Sequence, residues 1–398
     1  MDFGLDLVLV PLAAVLAPLL ARGLGRWVPI PVVVFELVLG IVFGPSVLGW
    51  ANPTAFMHTL SQLGLAMLFF VAGTEIEFQA LRGRTGRRAG LGWLISLAVG
   101  VAVGWIIAPG EPAIIIGIAM ASTALGALLP ILRDAGELKT PFGRAVGALG
   151  TVGEFGPLVA ISIFLGNRSP GRATIVLALF VLIAAGAVWY AFRAPRGRLH
   201  GFVTSTLHTS GQFAVRLVLL ILAALVFLSL VLDIDMLLGA FTAGIVWRLM
   251  IRDADEHLRE QVESKIEAVA FGFLVPIFFI YTGVTFDLAS LLKTPVLLAL
   301  VPATALALLL VRGVPSMLAA PAGSGARDRI SIALLGATAL PIIVAVTGIG
   351  VDKHIIPSSA AAVLVGAGML SMLVYPLIGM SLRHERVDPA AEVAEEKL

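Results

Sequence analysis

Glu154 is the residue whose type and position most directly predict chemistry. It lies near the middle of an otherwise uncharged run, Ala145 to Gly166 (AVGALGTVGEFGPLVAISIFLG), in a chain made largely of such runs. A carboxylate at bilayer depth costs at least ~2.5 kcal/mol, so it is retained where it pairs, takes up a proton or holds a cation. The sequence therefore predicts a functional acid at this position.

The composition predicts an all-α membrane protein with many spans. The 398 residues are 59% hydrophobic and 13% charged, whereas soluble domains carry about 25% charged residues. Apolar stretches close to the ~20 residues of a spanning helix leave no room for a soluble catalytic domain, so we expect no enzyme activity and no cofactor. The absence of cysteine excludes disulfides and thiolate metal sites. The basic residues are expected to set topology rather than to bind nucleic acid.

We expect thirteen transmembrane helices and read the first as a retained helix rather than a signal peptide. The predicted spans are approximately residues 5–22, 29–49, 59–77, 88–108, 112–133, 142–166, 173–192, 212–232, 236–251, 266–286, 294–319, 328–349 and 356–382. Residues 383–398 form a short tail.

The basic residues predict the orientation. Apart from Arg312, which lies within a span, only four of the 27 lysines and arginines fall on the side of the predicted N-terminus: Arg168, Arg172, Lys293 and Lys353. The positive-inside rule then predicts an N-terminus outside the cell membrane and a cytoplasmic C-terminus.

An internal repeat is visible at an offset of 210 residues. LFFVAGTEIEF at 68–78 aligns with FFIYTGVTFDL at 278–288, with matches at Phe69/Phe279, Gly73/Gly283 and Glu77/Asp287. The offset pairs the third span with the tenth and the fifth with the twelfth. Copies seven spans apart are inverted in the membrane, as in many secondary transporters. Chance similarity of two apolar helices is the alternative.

The fifth and twelfth spans each contain glycine, threonine and proline, in MASTALGALLP and LLGATALPIIVAVTG. A proline removes the helical donor for the carbonyl four residues earlier. We therefore expect unwound backbone at Gly126, Pro130, Ala337, Thr338 and Pro341. Paired interruptions of this kind point to a transporter's ion site, and simple kinks are the alternative.

Glu154 shares one helical face with three glycines and a proline, which predicts that this face packs closely against a neighbouring helix. Pro157 also frees the carbonyl of Gly153. We expect Glu154 to bind a dehydrated alkali cation, with these further oxygen ligands: Gly153, Ser122, Thr123 and Thr151. Protons and metal ions compete for the same carboxylate oxygens, so one site can exchange them. A purely structural role for Glu154 is the alternative.

Arg312 lies well inside the eleventh span. A guanidinium stays charged and must find an anion, a carbonyl cluster or a water-filled cavity. We expect a structural or gating ion pair, with Glu154, Glu36 or the acidic end of the third span as the anion. Glu36 shares a face with two glycines, which favours a packing or cavity-lining role.

Glu75 and Glu77 close the third span. They are predicted either to draw cations into a cytoplasmic funnel or to be solvated helix ends.

The chain resembles the cation:proton antiporter superfamily, in the branch of Kef-type potassium efflux proteins and bacterial sodium/proton antiporters. The resemblance covers residues 1–382 and rests on segments 31–49, 63–78, 121–162 and 275–288. It implies the sodium/proton antiporter fold, with crossed, partly unwound fifth and twelfth helices beside the ion-binding carboxylate. It also implies a homodimer in the lipid membrane, in which a core (about 88–166 and 293–382) moves against a scaffold (about 5–78 and 173–287).

The sequence departs from the family pattern in the sixth span. Relatives usually carry Asp-Asp, Asn-Asp or Gln-Asp where this chain has Gly153-Glu154. By position, Glu154 replaces the essential aspartate and Gly153 supplies no second side chain. The resemblance also implies that Arg312 takes the place of a Lys or Arg of the relatives, and we expect no Kef-type nucleotide-binding domain.

These observations predict an antiporter that exchanges sodium or potassium for protons, electroneutrally, with Glu154 as the shared ligand. Two alternatives stay open. One is a cation-coupled carrier or exporter of an organic solute on the same fold, and the other is a non-transporting membrane sensor or assembly subunit.

Overall fold

The protein is described here by a computed structural model, which covers residues 6–24, 31–76, 81, 83–166, 169–193, 213–251 and 256–384. All regular elements within these ranges are helices. Helices are expected for so apolar a chain, because a helix satisfies its own backbone hydrogen-bonding groups where no water is available.

The helices follow one another with short connections. They are α1 (Asp6–Leu24), α2 (Val32–Phe43), α3 (Ala55–Thr74), α4 (Gly83–Ile107), α5 (Glu111–Met120), α6 (Leu125–Asp134), α7 (Pro141–Phe164), α8 (Pro170–Arg193), α9 (Phe213–Val231), α10 (Met236–Ile251), α11 (Glu256–Val269), α12 (Val275–Val284), α13 (Leu288–Lys293), α14 (Pro295–Leu308), α15 (Val314–Ser316), α16 (Ala326–Gly336), α17 (Pro341–Asp352) and α18 (Ser358–His384). A π turn, Ala270–Leu274, joins α11 to α12, and a second, Leu309–Gly313, joins α14 to α15.

These helices form thirteen spans, which confirms the predicted number. Within the described residues, nine helices are long and apolar enough to cross a membrane, and four shorter apolar helices complete the set. The fifth span consists of α5 and α6, the tenth of α11 and α12, the eleventh of α14 and α15, and the twelfth of α16 and α17.

The tenth span begins earlier than the sequence predicts. Its helix starts at Glu256 rather than near residue 266, because the polar segment EHLREQVESKIEAV is itself helical. The alternation of acids and bases favours this extension, and Arg259 lies 3.8 Å from Glu263 one turn later. A hydropathy pattern cannot detect such a polar helical extension.

The chain divides into two compact units. The first unit comprises Met1–Leu20, Phe35–Ile76 and Leu158–Phe286, and the second comprises Ala21–Val34, Glu77–Pro157 and Asp287–Leu398.

Close glycine contacts hold the first unit together, and they repeat. A Cβ placed on Gly40 of α2 would lie 2.9 Å from the Cα of Gly283 in the tenth span. A Cβ placed on Gly244 of α10 would likewise lie 2.9 Å from the Cα of Gly73 in the third span. The second and ninth spans are seven apart, as are the third and tenth. The two contacts therefore follow the internal repeat seen in the sequence.

The second unit has an apolar core contributed by α4, α6, α7, α16, α18 and the turn after α15. Its buried side chains are Ala89, Leu128, Leu132, Phe142, Ala145, Val146, Ala148, Leu149, Ala319, Ala320, Ile332, Leu335 and Met380. This core fixes α6 and α16, the two half-helices that lead to the breaks in the fifth and twelfth spans.

Candidate functional site

The fifth span is broken at residues 121–124, between α5 and α6. Backbone amides in this break have no partner in their own helix and donate instead to carbonyls from other segments of the second unit. The amide of Thr123 donates to the carbonyl of Gly153 (3.0 Å), and the amide of Ala124 donates to the carbonyl of Thr338 (2.8 Å). The break is thus a defined conformation held by hydrogen bonds from elsewhere in the chain.

The side chain of Glu154 lies at the N-terminus of α6. This side chain is 6% exposed. Its Oε1 accepts hydrogen bonds from the amides of Leu125 (2.7 Å) and Gly126 (3.4 Å). Amides in the first turn of a helix have no partner within the helix and carry its positive end, so they favour a negative charge. The half-helix α6 therefore stabilises the ionised carboxylate.

The prediction of an unwound backbone at Gly126 and Pro130 is wrong. Both residues lie within α6, where Pro130 is an internal and exposed residue. The break lies before them because tertiary partners, including Glu154, supply acceptors to the amides at 123–126. A proline in the next turn does not decide where a helix ends when such partners are present.

The twelfth span is broken at residues 337–340, and Ala337 and Thr338 lie in this break. Pro341 is the first residue of α17, a position where its missing N–H costs nothing. Ser371 of α18 binds the break from outside: its hydroxyl donates to the carbonyl of Ala339 (3.0 Å) and accepts from the same residue's amide (3.2 Å).

Thr123 connects the two broken spans. Its hydroxyl donates to the carbonyl of Gly336 at the end of α16 (2.6 Å) and accepts from Nε of Arg312 (2.9 Å). Together with the bond between Ala124 and Thr338, this places the two breaks side by side.

Arg312 is fully buried and lies in the π turn of the eleventh span. Besides Thr123, its Nη2 donates to the carbonyl of Leu149 (3.0 Å). Within the described part of the second unit, no carboxylate lies within ion-pair distance of the guanidinium, so the expected ion pair with Glu154 is not formed. A carbonyl and a hydroxyl take its place, since they accept from a guanidinium without a second buried charge.

Gly153 has a steric reason to be glycine. A Cβ at this position would lie 2.5 Å from Oγ1 of Thr123 and 2.8 Å from Nη2 of Arg312. The place that a side chain at 153 would fill is occupied by these two groups. The contrast with Gly147 is clear, because a Cβ there would meet no atom within 4 Å.

The other predicted oxygen ligands are buried in the same unit. Ser122 lies in the break and donates to the carbonyl of Ala119 (2.7 Å), and Thr151 is 3% exposed on α7. Hard cations prefer carboxylate, carbonyl and hydroxyl oxygens, and the fifth-span break brings Thr123 against Gly153, the neighbour of Glu154 in the chain. Their role as cation ligands stays a prediction.

Three further acids for which the sequence predicts a role precede the segments of the two breaks in the sequence. Glu36 is buried in the first unit at 4% exposure, and its Oε2 has no hydrogen-bond partner among the described residues. Glu75 is half-buried and ends α3, where Arg248 donates to the carbonyl of Thr74. Glu77 lies outside the described residues.

Two features of the site were missed by sequence reasoning. The π turn around Arg312 aims the guanidinium at Thr123, but LLVRGVP contains no pattern that distinguishes a π turn from an α-helix. The indole of Trp93 in α4 packs so closely on Gly156 that any Cβ there would overlap it. Gly156, two residues after Glu154, was the available sequence signal for such a close contact.

Sequence comparisons with known proteins find one matching family and several relatives. The profile of a family described as "Sodium/hydrogen exchanger, transmembrane" matches residues 12–381. YjbQ of Bacillus subtilis is 26% identical over 96% of this chain, which spans 64% of that protein's length. The Na(+)/H(+)-K(+) antiporter GerN of Bacillus cereus is 27% identical over 72% of this chain and 73% of its own.

A solved structure shows the same fold. The sodium proton antiporter MjNhaP1 of Methanocaldococcus jannaschii matches with a TM-score of 0.66 over 96% of both chains, at 17% sequence identity. At that identity the likeness concerns the arrangement of helices rather than the chemistry of the site.

Proposed function

This chain belongs to the sodium/hydrogen exchanger family, and we propose that it exchanges protons for sodium or potassium ions across the membrane, with Glu154 as the group that takes up either ion in turn. The names of its relatives support this choice of ions, since GerN is described as an Na(+)/H(+)-K(+) antiporter.

One observation carries the proposal. Glu154, a buried carboxylate, lies at the head of the half-helix α6 and beside the break in the fifth span, where it accepts the amide of Leu125 at 2.7 Å. Broken helices supply loose carbonyls and positive helix ends, which are the groups that bind and release ions within a membrane.

The exchange follows from the two forms of one carboxylic acid. In the ionised form, Oε1 accepts from Leu125 and Gly126, and the carboxylate can bind an alkali cation together with nearby carbonyl oxygens. In the protonated form the cation is lost, because the carboxyl group is then neutral. Proton and cation therefore exclude each other at Glu154.

The charge balance favours electroneutral exchange. Glu154 carries one charge, and Gly153 adds no second carboxylate. Arg312 keeps its charge and is bound to Thr123 and Leu149. One proton then exchanges for one monovalent cation. The same reasoning makes Arg312 a structural part of the site.

Transport needs the site to face each side of the membrane in turn. We propose that the second unit, which contains Glu154 and both breaks, moves as the transporting core, and that the first unit is the scaffold of a homodimer. The division of the chain into two compact units supports this assignment. The orientation with a cytoplasmic C-terminus stays a prediction from the basic residues.

A proteoliposome assay tests the proposal. Purified protein is reconstituted with an internal pH dye, and sodium, potassium, lithium or choline is added outside at two pH values. We expect proton efflux driven by sodium or potassium, and no response to choline. The Glu154→Gln variant should give the signal of protein-free liposomes.

Glu111→Gln is the matched control, because Glu111 is an exposed acid at the start of α5 in the same unit. It should transport like the wild type. Cation-driven proton flux that persists in Glu154→Gln would refute the assignment of the site. Flux that requires an added organic solute would instead support the solute-coupled alternative.

A further inference from the structure

A three-residue ion cluster lies at the end of α18, and the proposed exchange does not use it. Nε of Arg383 donates to Oε1 of Glu137 at 3.0 Å, and its Nη2 donates to the same oxygen. Its Nη1 donates to Oδ1 of Asp328 at 2.8 Å. The exposed fractions of the three side chains are 15% for Arg383, 17% for Glu137 and 9% for Asp328. One arginine thus bridges two mostly buried carboxylates.

Further contacts fix the orientation of the cluster. The Cζ of Arg383 lies 4.3 Å from the centroid of the Phe142 ring. Oε2 of Glu137 accepts from the hydroxyl of Thr140 at 2.7 Å, and that hydroxyl also accepts from the amide of Gly143 at the start of α7 (3.1 Å). The guanidinium is therefore held between two acids and an aromatic face.

The cluster joins the far ends of the two half-helices that form the site. Glu137 lies in the turn after α6, which ends at Asp134, and Asp328 lies in the first turn of α16. The opposite ends of these helices are the breaks, where Leu125 binds Glu154 and Gly336 accepts from Thr123. Helices of this length span about 15 Å, so Arg383 acts at a distance from the carboxylate.

A continuous apolar core lies between the cluster and the breaks. Leu128 and Leu132 of α6 pack in it with Ile332 and Leu335 of α16, and with Met380 of α18. A displacement of the helices at the Arg383 cluster is transmitted through such a core to the breaks, because close-packed side chains have low compressibility.

We propose that Arg383 is a positioning residue, which holds the far ends of α6 and α16 in register and thereby sets the affinity of the Glu154 site for its cation. This inference rests on the proposed function for its effect on transport, but not for its effect on the breaks. The planar guanidinium suits the task, because its nitrogens can bind two carboxylates at once, which an ammonium does less well.

Isolated surface ion pairs contribute little to stability, but this cluster is mostly buried and shared by three elements. Removing the arginine takes away a cation that Glu137 and Asp328 both bind. They would then separate, and the two half-helices would lose their common tie.

Transport kinetics form the first test. We expect Arg383→Gln to raise the cation concentration for half-maximal flux by about three- to tenfold, with the maximal rate little changed. Arg383→Lys, which keeps the charge but not the fork, should give an intermediate value. Arg329→Gln is the matched control, since Arg329 is exposed on the same turn as Asp328 and should leave the concentration unchanged.

A merely structural role predicts a different pattern. It would lower the melting temperature of Arg383→Gln while the half-saturating concentration stays at the wild-type value. In a flux-active protein, that result overturns the proposal. If the glutamine variant cannot be purified, the comparison of Arg383→Lys with Arg329→Lys carries the same test.

Hydrogen exchange of the purified protein forms the second test and does not depend on transport. We expect the amides of Leu125 and Gly126 to exchange about three- to tenfold faster in Arg383→Gln than in the wild type or Arg329→Gln. Unchanged exchange overturns the proposal. Should the wild type show no cation-driven flux, the proposed function fails, and the exchange result still decides whether Arg383 positions the breaks.

Discussion

The two breaks of the second unit are held in different ways. The break at 337–340 is followed by Pro341, which begins α17, and a serine hydroxyl from α18 binds Ala339. The break at 121–124 has no proline at its end. Its amides bind Gly153, Thr338 and the carboxylate of Glu154 instead.

This difference separates a break built by local sequence from one built by tertiary contacts. The amides of the proline-marked break bind a hydroxyl and carbonyls rather than a charged group. The fifth-span break depends on a carboxylate that, in our account, alternates between proton and cation. The coupling of ion binding to backbone structure is therefore expected at the fifth span, with the twelfth span as the fixed partner.

Among the variants that compare the two breaks, Gly153→Ala is expected to have the largest effect on flux. The added Cβ would lie 2.5 Å from Oγ1 of Thr123, and overpacking of this kind costs about 1–3 kcal/mol. We expect near-complete loss of flux and a lower melting temperature. Gly147→Ala on the same helix is the control and should retain both, because that Cβ meets no atom within 4 Å. Equal behaviour of the two variants would contradict the geometry at Gly153.

Thr123→Val should have the next largest effect. It removes the bonds to Gly336 and Arg312 while keeping the shape of the side chain. Two lost buried hydrogen bonds cost about 2–4 kcal/mol of stability, and we expect flux to fall at least about tenfold. Thr347→Val removes only bonds to Ile343 and Val344 in its own helix, α17, so it should lie close to the wild type. The order of the two variants, measured in the same liposomes, checks the bridging role of Thr123.

Ser371→Ala tests the twelfth-span break. The variant leaves the amide of Ala339 without its hydroxyl acceptor, at a cost of about 1–3 kcal/mol. Because Pro341 still fixes the start of α17, we expect a lower melting temperature but flux within about threefold of the wild type. A loss of flux as large as that of Thr123→Val would show that the two breaks are functionally equivalent.

Pro130→Ala should have the smallest effect. Pro130 is an exposed residue within α6, where proline costs up to about 3 kcal/mol relative to alanine. We expect unchanged flux and an equal or higher melting temperature. Complete loss of transport would restore the idea that Pro130 creates the break.

The sequence was informative where one residue determines its own surroundings. An acid in the middle of an uncharged span predicts burial, and Glu154 is buried. The proline at 341 predicts unwound backbone at Ala337 and Thr338, and the twelfth span is broken at these residues. The shared glycines at 73 and 283 predict an internal repeat, and both lie in equivalent close contacts of the first unit.

The sequence was misleading where several distant segments decide the structure together. Pro130 predicts a fifth-span break at Gly126, yet the acceptors of the amides in the break come from residues about 30 and 200 positions away. An arginine inside a span predicts an ion pair, but Arg312 donates to the hydroxyl of Thr123 and the carbonyl of Leu149. Neither choice can be read from a hydropathy pattern.

The most direct test of the account measures proton release when a cation binds to the purified protein. In weakly buffered detergent solution at a series of pH values, addition of sodium or potassium chloride should release protons, and choline chloride should not. The Glu154→Gln variant should release none, since a side-chain amide does not ionise and so has no proton to give up when a cation binds. Cation-dependent release of the same size in Glu154→Gln would contradict the claim that this carboxylate is the shared site.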